Sequence, residues 1–205
     1  MIEIRKVLHL PINKLKIASN ILSKAFQHDP IFNYIILDTN QRLKTLNLYF
    51  QHVIKYGLCY GEVYSSPNFE GISVWLPPKN SSHTRWKAIK TGALALPVKV
   101  KWKYLTLQNK IYKFTNNLHK KFAPYPHWYL SLIGVGPNHQ GIGFGQQLLS
   151  TTINKIDLES KPIYLETNKE KNVELFKQFG FCILQKVILP GTKIFHWSLL
   201  RNPIK

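Results

Sequence analysis

Three glycines fall within five positions of the segment His139–Gln146, whose sequence is HQGIGFGQ. An apolar run, WYLSLIGV, precedes this segment, and a pattern typical of an amphipathic helix, QQLLSTTINKI, follows it. Glycine permits positive φ and lets a ligand approach the main chain without a Cβ in the way. Free N–H groups and the positive dipole end at a helix N-terminus favour an anion. The segment is predicted to bind a phosphate; a glycine-rich turn without a ligand would use the same residues.

Two common phosphate loops do not match this segment. A P-loop requires Lys followed by Ser or Thr after its last glycine, whereas Gln146 and Gln147 stand there. A dinucleotide-binding loop has the spacing G-x-G-x-x-G, and the spacing here is G-x-G-x-G. Glu166 does lie about 20 residues beyond the loop, but only about 60 residues follow Gly145, too few for the rest of a doubly wound sheet.

Predicted strands and helices alternate around and after the loop. The strands are predicted at 127–135, 162–168, 181–189 and 193–200, and the helices at 143–160 and 171–180. This order predicts a mixed α/β sheet that ends in a hairpin around Pro190 and Gly191.

The first part of the chain shows two helical patterns and three strand patterns. They are a strand at 2–7, a helix at about 13–27, a helix at 40–57, and a strand pair at 58–66 and 69–78. We expect His28-Asp29-Pro30 to end the first helix, because the residue before proline disfavours helical geometry, and Gly57 to end the second.

Residues 79–126 are basic, aromatic and rich in helix-forming residues, with Pro97 as a break. A basic amphipathic helix can lie on a membrane surface. Its apolar positions here are short and interrupted, which favours a helical insertion that caps the core and exposes its lysines. No repeat or linker separates this segment, so one domain over residues 1–205 is predicted.

Composition bounds the function classes. The chain has 28 basic and 10 acidic residues, a formal charge of +18, and the basic residues are scattered along it. Scattered lysines favour a solvated surface over a nucleic-acid platform, so nucleic acid is not an expected partner. No apolar run is long enough to span a bilayer, and we expect a cytoplasmic protein, a monomer or homodimer. Cys59 and Cys182 lack metal-ligand spacing and are expected to be buried thiols, and no metal is predicted.

The pattern Gln140-x-x-Gly143-x-Gly145 resembles the (Arg/Gln)-x-x-Gly-x-(Gly/Ala) signature of the GNAT acyltransferases, which bind acetyl-coenzyme A (acetyl-CoA). The sequences HWYLSLIGVGPNHQGIGFGQQLL and YLETNKEKNVELFKQFGF are similar to the puromycin N-acetyltransferase branch of that superfamily. The resemblance is strongest over residues 127–203, weaker over 20–80, and loose in the basic insertion.

The resemblance implies a strongly twisted mixed sheet flanked by helices, with the basic helical insertion before its central strand. It implies that the fourth strand separates from the fifth to admit the pantetheine arm of acetyl-CoA. The cofactor-binding residues that it implies are Ile133, Gly134 and Val135 for the pantetheine, Gln140, Gly141, Ile142, Gly143, Phe144, Gly145 and Gln146 for the pyrophosphate, and Asn172 and Phe176 on the following helix.

The implied reaction is direct attack of a small-molecule primary amine on the thioester. An alkyl ammonium has a pKa of roughly 10.4, so a general base is needed near neutral pH. Glu166 is the first candidate and His196 the second, although a glutamate or histidine with a purely structural role is the competing interpretation of each. Asp29 and Tyr34 are candidates for binding the acceptor, and Asp29 is equally suited to a turn or cap. Trp75 and Trp128 are expected in the core.

Phe176 departs from the family pattern, because a tyrosine usually stands at this position and is thought to protonate the leaving thiolate. Phenylalanine cannot donate that proton. The resemblance as a whole predicts an N-acetyltransferase. Because of Phe176, the alternative is a coenzyme A-binding regulatory module with weak or no catalysis.

Overall fold

Seven strands form one sheet in the order β1-β2-β3-β4-β5-β7-β6 in this computed structural model, which describes residues 6–82, 85–92 and 102–203. Their bounds are β1 Leu8–His9, β2 Glu62–Ser65, β3 Gly71–Leu76, β4 Trp128–Val135, β5 Ile163–Thr167, β6 Cys182–Ile188 and β7 Phe195–Arg201. Neighbouring strands are antiparallel except for β4 and β5, which are parallel. This is the mixed sheet that the order of predicted elements indicated.

Helices cover both faces of the sheet. The helices of the described residues are α1 Leu15–Ala25, α2 Pro30–Ile35, α3 Thr39–Tyr60, α4 Arg85–Lys90, α5 Trp102–Phe122, α6 Phe144–Asp157 and α7 Glu170–Gln178. α1 and α3 pack on β2, β3 and β4 through one apolar cluster, and α6 and α7 pack on the other face through a second. None of these helices combines the length and the apolar character needed to cross a bilayer.

The apolar side of α6 illustrates why the sequence forms this packing. Leu148, Leu149, Ile153 and Ile156 recur at helical spacing, as predicted, and all four are buried against the sheet. Trp75 and Trp128 lie in the same cluster, which confirms that these two side chains belong to the core.

Two glycines let helices approach the sheet closely. A Cβ on Gly134 of β4 would lie 2.7 Å from side-chain atoms of Leu22 and Phe26, so glycine is needed there for α1 to pack on β4. A Cβ on Gly57 would lie 2.5 Å from Val74. The prediction that α3 ends at Gly57 was therefore wrong: this glycine serves close packing inside the helix, which continues to Tyr60.

Two further predictions need correction. The strand expected at 2–7 is instead Leu8–His9, and residues 1–5 lie outside the described part. Cys59 and Cys182 are exposed rather than buried, because one lies on the outer side of α3 and the other begins the edge strand β6. The expected break at Pro97 also lies outside the described residues. The first helix does end before Asp29 and Pro30, and the β6–β7 hairpin forms as predicted.

Candidate active site

The glycine loop leads directly into α6. Gly143 precedes the first residue of α6 with a φ of +94°, and Gly141 has a φ of +82°. L-residues other than glycine rarely adopt such values. A Cβ on either glycine would meet no atom within 4 Å, so the positive φ, and not crowding, calls for glycine here. No side chain makes a capping hydrogen bond at the helix start, and a helix N-terminus of this kind favours an anion.

β4 and β5 separate beside this loop. They pair over only three positions, the last of which joins Leu130 to Leu165, whereas β4 continues to Val135 with β3 as its partner. At Ser131 the β3–β4 register shifts, because Trp75 pairs with Leu130 and Val74 with Leu132. An extra residue of this kind bends and twists a strand. The bulge therefore lies where β4 departs from β5 and opens the gap between them.

Main-chain groups of β4 face this gap. Gly136 N–H donates to Glu70 C=O at 2.7 Å, so the backbone groups of Gly136, and by alternation those of Gly134, point toward β3. Those of Ile133 and Val135 point the other way, into the gap. Gln140 Nε2 donates to Val135 C=O at 3.0 Å and ties the loop to the end of β4. The structure thus brings the loop beside the end of β4, with two of the three predicted β4 residues facing the gap.

Asn172 and Phe176 lie on α7, beyond the end of β5. Asn172 Nδ2 donates to Thr167 Oγ1 at 3.2 Å, which ties the start of α7 to β5. The ring of Phe176 is buried in the core, 5.8 Å from the ring of Phe181. This position presents no hydroxyl group.

A cavity of about 490 Å³ lies between the sheet and the helices α2, α3 and α5. β4 contributes Tyr129 and Ser131, β5 contributes Glu166, and β7 contributes His196. α5 supplies one wall, so the basic segment predicted as an insertion does cover the core here. The cavity is therefore contiguous with the point where β4 and β5 part.

Glu166 is held by two tyrosines. Tyr164 OH donates to Glu166 Oε1 at 2.9 Å, and Tyr129 OH donates to Oε2 at 3.4 Å. Burial, reinforced by the Glu166 charge, raises the pKa of both phenols well above their usual value. Both tyrosines therefore keep their protons and act as donors to the carboxylate.

His196 has one ring nitrogen occupied and one without a partner. Its side chain is 3% exposed, and Nδ1 lies 2.9 Å from Asn168 Oδ1. An amide oxygen only accepts, so the Nδ1 proton points to Asn168 and neutral His196 carries its lone pair on Nε2. Within the described residues Nε2 has no hydrogen-bond partner, and it lies 3.7 Å from Glu166 Oε1. A buried polar atom without a partner, at the cavity, is suited to receive a ligand.

The two predicted acceptor residues lie in different places. Asp29 lines the cavity, accepts from Ile31 N–H at 3.1 Å as the cap of α2, and lies 3.7 Å from Lys169 Nζ. Burial raises its pKa, and the charge of Lys169 opposes that rise. Tyr34 is not brought to the cavity: it lines a separate pocket, and its OH donates to Gly191 C=O at 2.6 Å.

Asn168, Tyr164 and Tyr129 were not predicted from the sequence as site residues. Strand alternation could have indicated two of them, because Tyr164, Glu166 and Asn168 are spaced by two residues and so share one face of the chain at β5. Tyr129 reaches Glu166 only through the pairing of β4 with β5. In the described part of the chain, no group of three or more His, Cys, Asp or Glu side chains is arranged to hold a metal ion.

The described lysines of α5 lie on its outer side. Lys110, Lys113, Lys120 and Lys121 are exposed, and helical spacing places them within an arc of about 100°. Binding of a nucleic acid would require lysines aligned on one side in this way. The competing interpretation is that these lysines, like the basic residues elsewhere in the chain, only face solvent. Binding to RNA at rising salt concentration is the measurement that separates the two.

Comparisons with known proteins agree with this geometry. Residues 110–181 match the model of the Acetyltransferase (GNAT) family. An uncharacterized N-acetyltransferase of Schizosaccharomyces pombe is 28% identical over 180 residues, which span 85% of this chain and 73% of that protein.

Solved structures share the fold at low identity. A structure described as histone acetyltransferase HPA2 and related acetyltransferase from Corynebacterium glutamicum has a TM-score of 0.67 and 18% identity, with 98% of this chain and 97% of that chain covered. YncA of Salmonella typhimurium, solved with its cofactor acetyl-CoA, has a TM-score of 0.56 and 16% identity over 98% and 94% of the two chains. The match over residues 110–181 and the relative from Schizosaccharomyces pombe support an acyltransferase enzyme of GNAT type, and the solved structures share its fold.

Proposed function

We propose that this chain transfers the acetyl group of acetyl-CoA to the primary amine of a small molecule by direct attack. The observation that supports this most directly is the pair formed by His196 Nε2, buried and without a partner among the described residues, and Glu166 Oε1, 3.7 Å away. A nitrogen atom between them could donate to both, since hydrogen bonds of about 2.9 Å to each fit that separation.

The residues of the gap and the loop fit acetyl-CoA. Ile133 and Val135 offer main-chain groups to the pantetheine, and the N–H groups of the loop 140–146 and the first turn of α6 suit the pyrophosphate. The proposal also assigns Asn172, at the start of α7, to contact with the same arm. When bound, acetyl-CoA supplies the thioester, whose acetyl carbon bonds to the amine nitrogen as its bond to sulfur breaks.

Glu166 and His196 have different roles toward the amine: Glu166 binds its ammonium form, and His196 removes the proton. Glu166 already accepts from two tyrosines, so its carboxylate is held in place to attract an ammonium group. At pH 7 only about one alkyl amine in a few thousand is neutral, so a base must take a proton. His196 Nε2 takes it, because histidine suits proton transfer near neutral pH and its lone pair faces the site. Asn168 positions His196 by accepting from Nδ1–H.

The leaving thiol needs less help than the amine. A thiol of cysteine type has a pKa of roughly 8.5, only about 1.5 units above neutral pH. A general acid usually raises the rate by about 10²–10⁴-fold. We expect the buried phenylalanine at position 176 to lower the rate by an amount at the low end of that range, because solvent can protonate the thiolate. Overall, the acceptor's ammonium group becomes an amide, coenzyme A leaves as the thiol, and one proton passes to the solvent.

A thiol-release assay with acetyl-CoA and a panel of small amines tests the proposal. We expect amine-dependent release of free thiol, together with a rise in melting temperature on addition of acetyl-CoA, because a bound ligand stabilises the folded state. A rise in melting temperature without thiol release for any amine would contradict catalysis and favour the coenzyme A-binding module. The proposed kinship with the puromycin N-acetyltransferase branch rests on the sequence motifs alone.

A further inference from the structure

We infer that the acceptor carries a single ammonium group on an apolar, ring-bearing body, an inference that rests on the proposed function. The cavity of about 490 Å³ beside Glu166 and His196 is where such a molecule would bind. Its volume falls in the usual range of small-ligand sites, roughly 300–1,000 Å³.

The charge of the cavity admits one cation. Two carboxylates line it, and Asp29 is already engaged by the start of α2 and by Lys169. Glu166 has no lysine or arginine within ion-pair distance among the described residues. The described lining likewise contains no lysine or arginine. One ammonium group therefore finds an unpaired carboxylate, whereas a second would be desolvated beside neutral groups only, at a large cost in free energy.

Aromatic and aliphatic side chains form much of the wall, beside polar side chains such as Gln108, Asn109 and Asn116 of α5. Phe32, Tyr49, Tyr112 and Tyr129 contribute rings, and the rings of Phe32 and Tyr49 meet edge to face at 5.6 Å. Aromatic rings prefer such edge-to-face or offset contacts with one another. A ring on the acceptor can add to this arrangement, so it should bind better than a flexible alkyl chain of similar length.

Three amines of similar length separate these features when the purified full chain is assayed with acetyl-CoA. They are 2-phenylethylamine, hexylamine and 1,6-diaminohexane. We expect kcat/KM to be highest for 2-phenylethylamine and at least tenfold lower for 1,6-diaminohexane than for hexylamine. The last two differ only by the second amine, so their ratio measures tolerance of a second positive charge.

A matched pair of variants on α5 tests whether the charge of the cavity limits the acceptor to one ammonium group. Asn116 lines the cavity, and the adjacent Asn117 is exposed outside it. Asn116→Asp adds a third carboxylate to the cavity, beside Glu166 and the Lys169-engaged Asp29, and should raise kcat/KM for 1,6-diaminohexane about tenfold relative to hexylamine. Asn117→Asp adds the same charge to the surface and should leave that ratio unchanged.

Each outcome decides a specific claim. Equal or faster turnover of 1,6-diaminohexane by the unmodified chain overturns the single-charge inference and leaves the acetyltransferase function standing. Hexylamine turned over as well as 2-phenylethylamine overturns the preference for a ring. A chain that binds acetyl-CoA but acetylates none of the three amines or any other in the panel overturns the proposed function, and the inference falls with it.

Discussion

The cofactor end and the acceptor end of the candidate site are built in different ways. The cofactor end consists of the glycine loop, the start of α6 and the end of β4, and it offers mainly backbone groups to a ligand. The acceptor end is a cavity whose side chains come from α2 and its cap, α3, α4, α5, β4, β5 and β7. Backbone geometry depends on a few glycines, whereas the cavity depends on many side chains that are far apart in the sequence.

This difference indicates which end can change with substrate. A substitution on the wall of the cavity alters what fits there and leaves the loop intact. A change at a glycine with positive φ alters the main chain itself. One fold can thus keep its cofactor while its acceptor varies. If the two ends are separable, a substitution at one end should leave the function of the other unchanged.

Replacement of His196 should have the largest effect. His196→Gln removes the buried nitrogen that we propose takes the proton, and we expect kcat to fall by about 10²–10⁴-fold. Affinity for acetyl-CoA, measured by isothermal titration calorimetry, should not change, because His196 belongs to the acceptor end. His28→Gln, at an exposed histidine, is the control. A parallel loss of acetyl-CoA affinity would show that the two ends are coupled.

Replacement of Gly143 should weaken the binding of acetyl-CoA at the cofactor end. Gly143→Ala forces a Cβ onto a residue with a φ of +94°, which costs roughly 1–2 kcal/mol and shifts the loop. We expect affinity for acetyl-CoA to fall about tenfold, equivalent to about 1.4 kcal/mol.

Gly191→Ala is its matched control, since Gly191 has a φ of +78° in the β6–β7 hairpin and open space around it. Thermal unfolding should show a similar loss of stability for both variants, and calorimetry should show weaker acetyl-CoA binding only for Gly143→Ala. Equal affinity in the two variants would rule out the loop as the phosphate site.

Phe176→Tyr should have the smallest effect. The added hydroxyl group restores the residue usual for the family, so turnover should stay the same or rise by up to about tenfold at saturating amine. Steady-state kinetics with thiol release measures this, and thermal unfolding monitors the cost of a hydroxyl placed at a buried position. A collapse of turnover with acetyl-CoA affinity intact would refute the idea that this position faces the leaving thiol.

Local patterns in the sequence were sufficient for much of the fold and for the glycine turn at the candidate cofactor end. The period of the apolar residues located α6, and the Pro190-Gly191 turn located the final hairpin, because both signals lie within a few consecutive residues. The spacing of Gly141 and Gly143 likewise predicted a turn that needs positive φ before a helix. Gly57 shows the limit of such signals, since a helix end and a close helix–sheet contact both call for glycine.

Only the tertiary structure decided the acceptor end. The bulge at Ser131 and the separation of β4 from β5 arise from pairing between distant segments. The contact of His196 with Asn168 joins residues 28 positions apart, and it exists because β7 pairs with β5 in one register. Tyr34 lies outside the cavity and Asp29 inside it, although the two are only five residues apart. Residue types in the sequence established which groups could do chemistry, and long-range packing determined which of them meet.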